Sequence, residues 1–306
     1  MPTVTVRTAG ETATATYTVA TPITNLPAQP AGIVYGTPPN LAAYATPGAL
    51  VIAGRDQYNH QQFKNVSAAG GTVLVYLDVM YVNPYGRYHG LLFNSSTYGA
   101  AVPNWPGNVK IDSTYYLADF RVGGVLQSKL EAVLELMVAE NPHMAGWFAD
   151  DLGSRSWYPN INWSTFSATD KAAWRGGAIA LCQTFRRVAD RHGLMFMVNG
   201  TWTANDGGGY PTTSTHGMSL ADGGFVEHHD GQISFFGPYA ASAQWASQSP
   251  LTQGKAFMYA VTSTSAGLTE YRNSGKYAYV HQQSDYDTTP PPWGAFHPTG
   301  LPSHAA

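Results

Sequence analysis

The chain has 306 residues, a formal net charge of −3 and only 11% charged residues, against 13% aromatic ones that include 8 Trp and 19 Tyr. Phosphate neutralisation needs clustered Lys and Arg, so this balance excludes a nucleic-acid partner, and no apolar run nears the ~20 residues that cross a bilayer. A polar surface made of hydroxyls, amides and rings suits sugars instead, because sugar ring faces stack on aromatics and sugar hydroxyls pair with amides and carboxylates.

In chain order, residues 3–18 alternate Thr or Ala with Val and Tyr around Ala9-Gly10-Glu11, which predicts a β-hairpin. Two strands alone are marginal in water, so the hairpin is expected to lean on another protein or a neighbouring copy. Residues 20–29 carry two prolines and no periodicity, and read as a linker. The opening Met-Pro-Thr-Val-Thr-Val has neither a charged n-region nor an apolar h-region, so it does not read as a signal peptide. Three segments follow: 1–27 as hairpin and linker for attachment, 28–284 as the main domain, and 285–306 as an extended Pro-rich tail.

Within the main domain, apolar strand runs are predicted at 33–35, 50–53, 73–78, 146–150, 194–199, 224–227, 256–261 and 277–281. Helical patterns lie between them. Leu126, Leu130, Val133, Leu134, Met137 and Val138 form one apolar stripe, and Trp174, Ala178, Leu181, Phe185 and Val188 form another. The single Cys182 excludes a disulfide framework and a multi-cysteine zinc site. It falls in this second apolar context and reads as a buried, inert thiol. Alternating strands and helices predict an α/β fold, a (β/α)8 TIM barrel with the hairpin added in front and an irregular tail behind. Connections from helix into strand are short, while those leaving strands (81–123, 152–168, 200–215 and 228–238) are long and rich in aromatics. Function is therefore expected at the C-terminal rim.

Polar residues end the strand runs. Asp78 follows Val-Leu-Val-Tyr-Leu, Asp150 and Asp151 follow Gly-Trp-Phe-Ala, Asn199 follows Leu-Met-Phe-Met-Val, and Glu227 follows Gly-Gly-Phe-Val. Arg55 and Tyr259 also fall at predicted strand ends. Two carboxylates facing each other across a sugar are the minimum machinery of most glycosidases, which makes Asp150 and Glu227 the candidate catalytic residues. Asp78, Asp151, Asn199, Tyr76, Arg55, Trp202, His228 and Tyr259 are the candidates for substrate binding. An ionised Asp150 needs hydrogen-bond donors, for which Asn199, Tyr76 and Arg55 are available. Strand alternation predicts that Asp150 and Asp151 face opposite ways. Glu227, among rings, is the candidate general acid. His89, His143 and His281 read as polar loop or rim residues.

Four short motifs carry a resemblance: Val75-Tyr76-Leu77-Asp78, Gly146-Trp147-Phe148-Ala149-Asp150, Val198-Asn199-Gly200 and Phe225-Val226-Glu227. In this order the chain resembles the barrel glycosidases related to endo-α-1,4-polygalactosaminidase, glycoside hydrolase family 114 and its relatives. The resemblance implies Asp150 and Glu227 as the catalytic pair, with Asp78 and Asn199 binding or orienting sugar, and no cofactor. The chain departs from that pattern in placing Asp151 directly after Asp150, which leaves open which Asp is catalytic, and in its long 81–123 insertion. The Thr/Ala hairpin and the use of ten Arg against six Lys resemble minor tail proteins of phages infecting actinobacteria. That resemblance implies a place in a virion tail, with other tail proteins and the host cell-envelope polysaccharide as partners.

Two other readings stay open. One is a non-catalytic receptor-binding or structural tail component, since fold alone does not separate binding from hydrolysis. The other is a metal-dependent polysaccharide hydrolase or deacetylase built on Glu227, His228, His229 and Asp230. Against it, adjacent strand histidines point to opposite faces.

Overall fold

The structure is a computed structural model of the whole chain. It describes residues 3–8, 11–16, 29–34, 41–54, 60–79, 81–82, 86–93, 116–118, 125–152, 167–200, 220–226, 256–261, 277–280 and 294–295. The first two strands, β1 (Thr3–Thr8) and β2 (Glu11–Thr16), pair antiparallel with Val4 opposite Ala15 and Val6 opposite Ala13, in a sheet of their own.

The main sheet starts at β3 (Gln29–Val34), β4 (Leu50–Ala53) and β5 (Thr72–Asp78), with helix α1 (His60–Ala68) between the last two. An excursion follows: strand β6 (Tyr81–Val82), the short helix α2 (Arg87–Leu92) and strand β7 (Tyr116–Leu117), which pairs antiparallel with β6. Helix α3 (Val125–Glu140) leads into β8 (Gly146–Leu152), and helix α4 (Ala168–His192) into β9 (Met195–Gly200). The remaining strands are β10 (Gly223–Val226), β11 (Ala256–Val261), β12 (Tyr277–Val280) and β13 (Gly294–Ala295). Hydrogen bonding sets the order β12-β11-β10-β9-β8-β5-β4-β3-β13. Every neighbouring pair is parallel except β13 with β3. The molecule is thus an α/β protein on a curled parallel sheet, with β12 also touching β3 and β13. Most strand bounds fall within two residues of those read from periodicity. β3 starts four residues earlier than expected, and β13 adds a strand to the stretch 285–306, which the sequence reads as an irregular tail.

Strands of this sheet are apolar at nearly every position because both faces are covered. On one face Ile33, Ile52, Leu74, Phe148, Met197 and Phe225 meet each other in an inner core. On the other, Val51, Val75, Trp147, Ala149, Phe196 and Val198 meet the helices. Leu126, Leu130, Leu134 and Met137 of α3 and Leu181, Phe185 and Val188 of α4 are buried there, so the 3.6-residue stripes are core contacts. Phe185 stacks on Phe196 with ring centroids 4.8 Å apart. Cys182 is fully buried in the same layer, and burial pushes its thiol well above the ordinary range, which leaves it unreactive.

The long helix α4 is defined at both ends. Ser167 Oγ accepts from the Asp170 amide and Asp170 accepts from the Ser167 amide, a reciprocal capping box. Gly193, with φ 65°, closes the last turn onto Ala189. Beyond it, Asp222 accepts from the Phe196 amide at 2.8 Å and from Arg186 at 2.8 Å. This brace ties the residue just before β10 to both β9 and α4, and sets the height at which β10 enters the sheet.

Candidate functional site

The inner face can be followed rung by rung from the strand register. Tyr76 lies opposite Phe148, and Phe148 opposite Met197; one rung towards the C-terminal ends, Asp78 lies opposite Asp150. The β10 register puts Gly223 beside Met197, which brings Phe225 level with Asn199. The lower rung is an aromatic and thioether floor. On this rung Phe148 meets Tyr76 at 6.1 Å, and from one rung higher on β10 Phe225 meets it edge to face at 5.5 Å. The upper rung is polar: Asp78, Asp150 and Asn199, two acids and an amide, sit together at the C-terminal ends of three adjacent strands. That is the end at which parallel α/β sheets carry their sites.

Both oxygens of the Asp150 carboxylate are held. Tyr76 Oη donates to Oδ2 at 2.8 Å, and Asn199 Nδ2 donates to Oδ1 at 2.9 Å. Asp150 is half-buried, while Tyr76, Asn199 and Asp78 are buried. Two donors on one carboxylate favour its charged form and fix its plane. They are two of the three donors that the sequence offers Asp150; Arg55 lies outside the described residues.

Two glycines make this packing possible. A Cβ on Gly54 would stand 2.8 Å from Tyr76 Cβ, and one on Gly146, where φ is 153°, would stand 2.0 Å from the Met195 carbonyl oxygen. Gly54 therefore leaves room for the Tyr76 side chain, and Gly146 lets β8 lie against β9 from its first residue.

The register at the end of β8 is irregular. Ala149 pairs with Val198 and Leu152 with Gly200, so the two acids together stand opposite the single residue Asn199. This is a β-bulge, and strict alternation does not run through it. Ala149 and Leu152, three residues apart, both reach the helix-covered core. The sequence signal was the pair itself, since an added polar residue at the end of an apolar strand is what a bulge uses.

His89 lies on a helix, α2, rather than in a loop; it is buried, and at the end of β5 its Nε2 accepts from the Asp78 amide at 3.1 Å. No periodicity signalled it, because α2 is only six residues long.

Of the other sequence-named residues, Asp151 is described as a strand position only. Tyr259 lies within β11 opposite Val226, two residues before the strand ends, and out of step with the Phe225–Met258 pair. Glu227 directly follows β10 and lies outside the described residues, as do Trp202 and His228.

No protein-family profile matches the chain, and no curated protein sequence matches it. Solved structures do. A variant of the glycoside hydrolase domain of PelA from Pseudomonas aeruginosa superposes with a TM-score of 0.52 at 12% identity, covering 86% of this chain and 98% of that one. Ega3 of Aspergillus fumigatus, in complex with galactosamine, gives a TM-score of 0.52 at 12% identity over 87% of this chain and 95% of that one. At such identity the likeness is one of architecture, and the chain shares the fold of these two proteins, one of them a glycoside hydrolase domain.

Proposed function

We propose that the protein is a glycoside hydrolase acting on a cell-envelope polysaccharide, with its parallel sheet closed as a (β/α)8 barrel and a carboxylate pair, Asp150 and Glu227, at the C-terminal rim. The observation that carries the reading is the Asp150 carboxylate, held on one oxygen by Tyr76 and on the other by Asn199. A carboxylate fixed in this way, above an aromatic floor and beside a second acid, is suited to meet the positive charge that develops on a sugar ring.

Glu227 enters from the sequence, as the acid that directly follows β10. Strands β8 and β10 are separated by β9 alone, hence by about 9–10 Å of backbone, compatible with carboxyl groups ~5–9.5 Å apart. Glu227 protonates the leaving oxygen, and Asp150 attacks the anomeric carbon or activates water. Asp78, on the same rung as Asp150, adds negative charge to the cleft and favours amino sugars with a free, cationic amine. The galactosamine bound by Ega3 is in keeping with that choice. The β1–β2 pair, with a sheet of its own, serves as the attachment segment, and a virion tail is the setting we propose for it.

The test is release of reducing ends from polygalactosamine and from purified actinobacterial wall glycans, by wild type and by Glu227→Gln. Release by wild type alone supports the proposal. Binding of the same glycans with no release by either form replaces it with a carbohydrate-binding module, and neither binding nor release rejects both.

A further inference from the structure

Strand β10 carries little in its own sequence to fix where it sits. It opens with Gly223 and Gly224, which stand opposite Met197 and Val198 of β9. A Gly-rich strand specifies its register weakly, and a slip of one residue sends every side chain to the opposite face. On its other side β10 is paired with β11 over its whole length, from Gly223 with Ala256 to Val226 with Tyr259. A slip along β9 would therefore carry β11 with it.

Asp222, the residue just before β10, meets Phe196 of β9 twice. Its amide donates to the Phe196 carbonyl at 2.7 Å, and its Oδ2 accepts from the Phe196 amide at 2.8 Å. The Met195 amide donates to Ala145 at the foot of β8, so the Phe196 amide, next along the strand, faces β10. The same Oδ2 accepts from Arg186 Nη1 at 2.8 Å. Arg186 also donates to the carbonyls of Leu194, before β9, and Leu220, before β10, at 3.3 and 3.5 Å. Its neighbour on α4, Phe185, stacks on Phe196. A slip of β10 by one residue would put Ala221 or Gly223 in the place of Asp222, and neither has a carboxylate to offer Phe196.

We propose that Asp222 is a positioning residue, a register pin that with Arg186 fixes β10, and β11 behind it, against β9 and so keeps Phe225 on the inner face of the site. Phe225 touches Phe148 edge to face at 5.5 Å, and Phe148 is the ring beside Tyr76. Asn199 stands three residues beyond Phe196, about 10 Å further along the strand. Asp222 thus acts on the site through β10 and not by contact with the reacting atoms. The effect on turnover rests on the glycosidase reading, whereas the pin and its effect on Phe225 do not.

The experiment uses the full-length chain labelled with 15N and 13C. In wild type, a coupling across the hydrogen bond links the Phe196 amide nitrogen to the Asp222 carboxyl carbon, and cross-relaxation links the rings of Phe148 and Phe225. Absence of either overturns the proposal. Asp222→Asn keeps an oxygen for the Phe196 amide, whereas Asp222→Ala removes it. Val188→Ala, a truncation of a fully buried core residue on α4, is the control for a general loss of stability. The expected result is that the Asp222→Ala form loses the Phe148–Phe225 contact, while the Asn form and the control keep it, although the control melts lower. With 4-nitrophenyl galactosaminide, the Asp222→Ala form loses about ten- to a hundredfold in kcat, the scale of a site displaced by ~1 Å, and the Asn form stays near wild type. An Asp222→Ala form that keeps the ring contact overturns the proposal. So does a control that loses it, since Phe225 then follows stability and not register. If the Asp222→Ala form does not fold, Arg186→Met, which loosens the pin from α4, takes its place under the same two outcomes. If wild type turns over no substrate, the glycosidase reading fails, and the ring contact still decides the role of Asp222.

Discussion

Asp150 gains its chemistry from two neighbours that approach from opposite sides, one strand before and one strand after its own. Tyr76→Phe removes the donor to Oδ2 and keeps the ring, so it is expected to cost about 1 kcal/mol of stability and, on the glycosidase reading, about a hundredfold in kcat, the scale of one lost donor at a charged site. Thermal melting and steady-state kinetics with the galactosaminide separate the two effects. The roles of the two acids divide by leaving group. If the proposed pair is catalytic, then with an activated leaving group, which needs little protonation, Glu227→Ala is expected to retain its first step and Asp150→Ala to lose it; the opposite pattern reverses the assignment. The acids and the amide that the structure brings together, Asp78, Asp150 and Asn199, were legible in the sequence, because they stand at the ends of apolar runs where a buried strand has no use for them. The hydrogen bonds were not, since Tyr76 and Asn199 lie 74 and 49 residues from Asp150. A Tyr inside an apolar run also looks the same whether it packs or donates.

At the scale of elements, the bulge in β8 is what gives two acids one partner. Deleting Asp151 restores a regular register: Ala149 stays opposite Val198, Asp150 meets Asn199 alone, and Leu152 keeps Gly200. The core contact of Leu152 is preserved, so the deletion is expected to fold cooperatively. Asp150 then follows the local twist of a regular strand and loses its aim between Tyr76 and Asn199, with a large fall in kcat. A crystal structure of the deletion in which Asp150 keeps both hydrogen bonds would count against the bulge as the aiming device. Short elements were the ones that sequence patterns missed. Helix α2 is too short for a 3.6-residue period to emerge, and β13 spans two residues, whereas α3 and α4, with several turns each, announced their buried faces.

The molecule as a whole is tied together on its outside by ionic lacing between α3 and α4. Arg191 bonds Glu131 at 2.9 Å and also Glu135, Arg187 bonds Glu131 at 3.1 Å, and His192 bonds Glu135 at 2.7 Å. Hydrogen bonds from Arg191 and Arg187 hold the Glu131 carboxyl below its ordinary 4.5, and the His192 bond, followed by Arg191, does the same for Glu135. A depressed carboxyl stabilises the fold above its unfolded pKa, and that contribution is lost as pH falls through the lower folded value. Glu131→Gln with Glu135→Gln is therefore expected to make the loss of melting temperature below about pH 4.5 shallower than in wild type. These groups are about a third exposed, so the difference should shrink in about 1 M salt, where screening reaches ~3 Å. The β1–β2 pair makes a contrasting case. Removing residues 1–27 is expected to leave the melting of the main sheet unchanged and to abolish assembly with a partner or a second copy; loss of cooperative melting would contradict this.

The sequence by itself determined the parallel α/β architecture, the buried helix faces, the inert cysteine and the strand ends that carry acids. Each of these follows from a period of two or 3.6, or from a polar residue closing an apolar run, and such signals are local. The tertiary structure alone decided which partners those acids have, because partnership depends on register between strands far apart in the chain. It placed Asp150 and Asp151 together opposite Asn199, buried His89 on a helix against the Asp78 amide, and paired residues 294–295 with β3. The Asp78 amide donates to an imidazole that packing brings to it, and no pattern within one segment encodes such an acceptor.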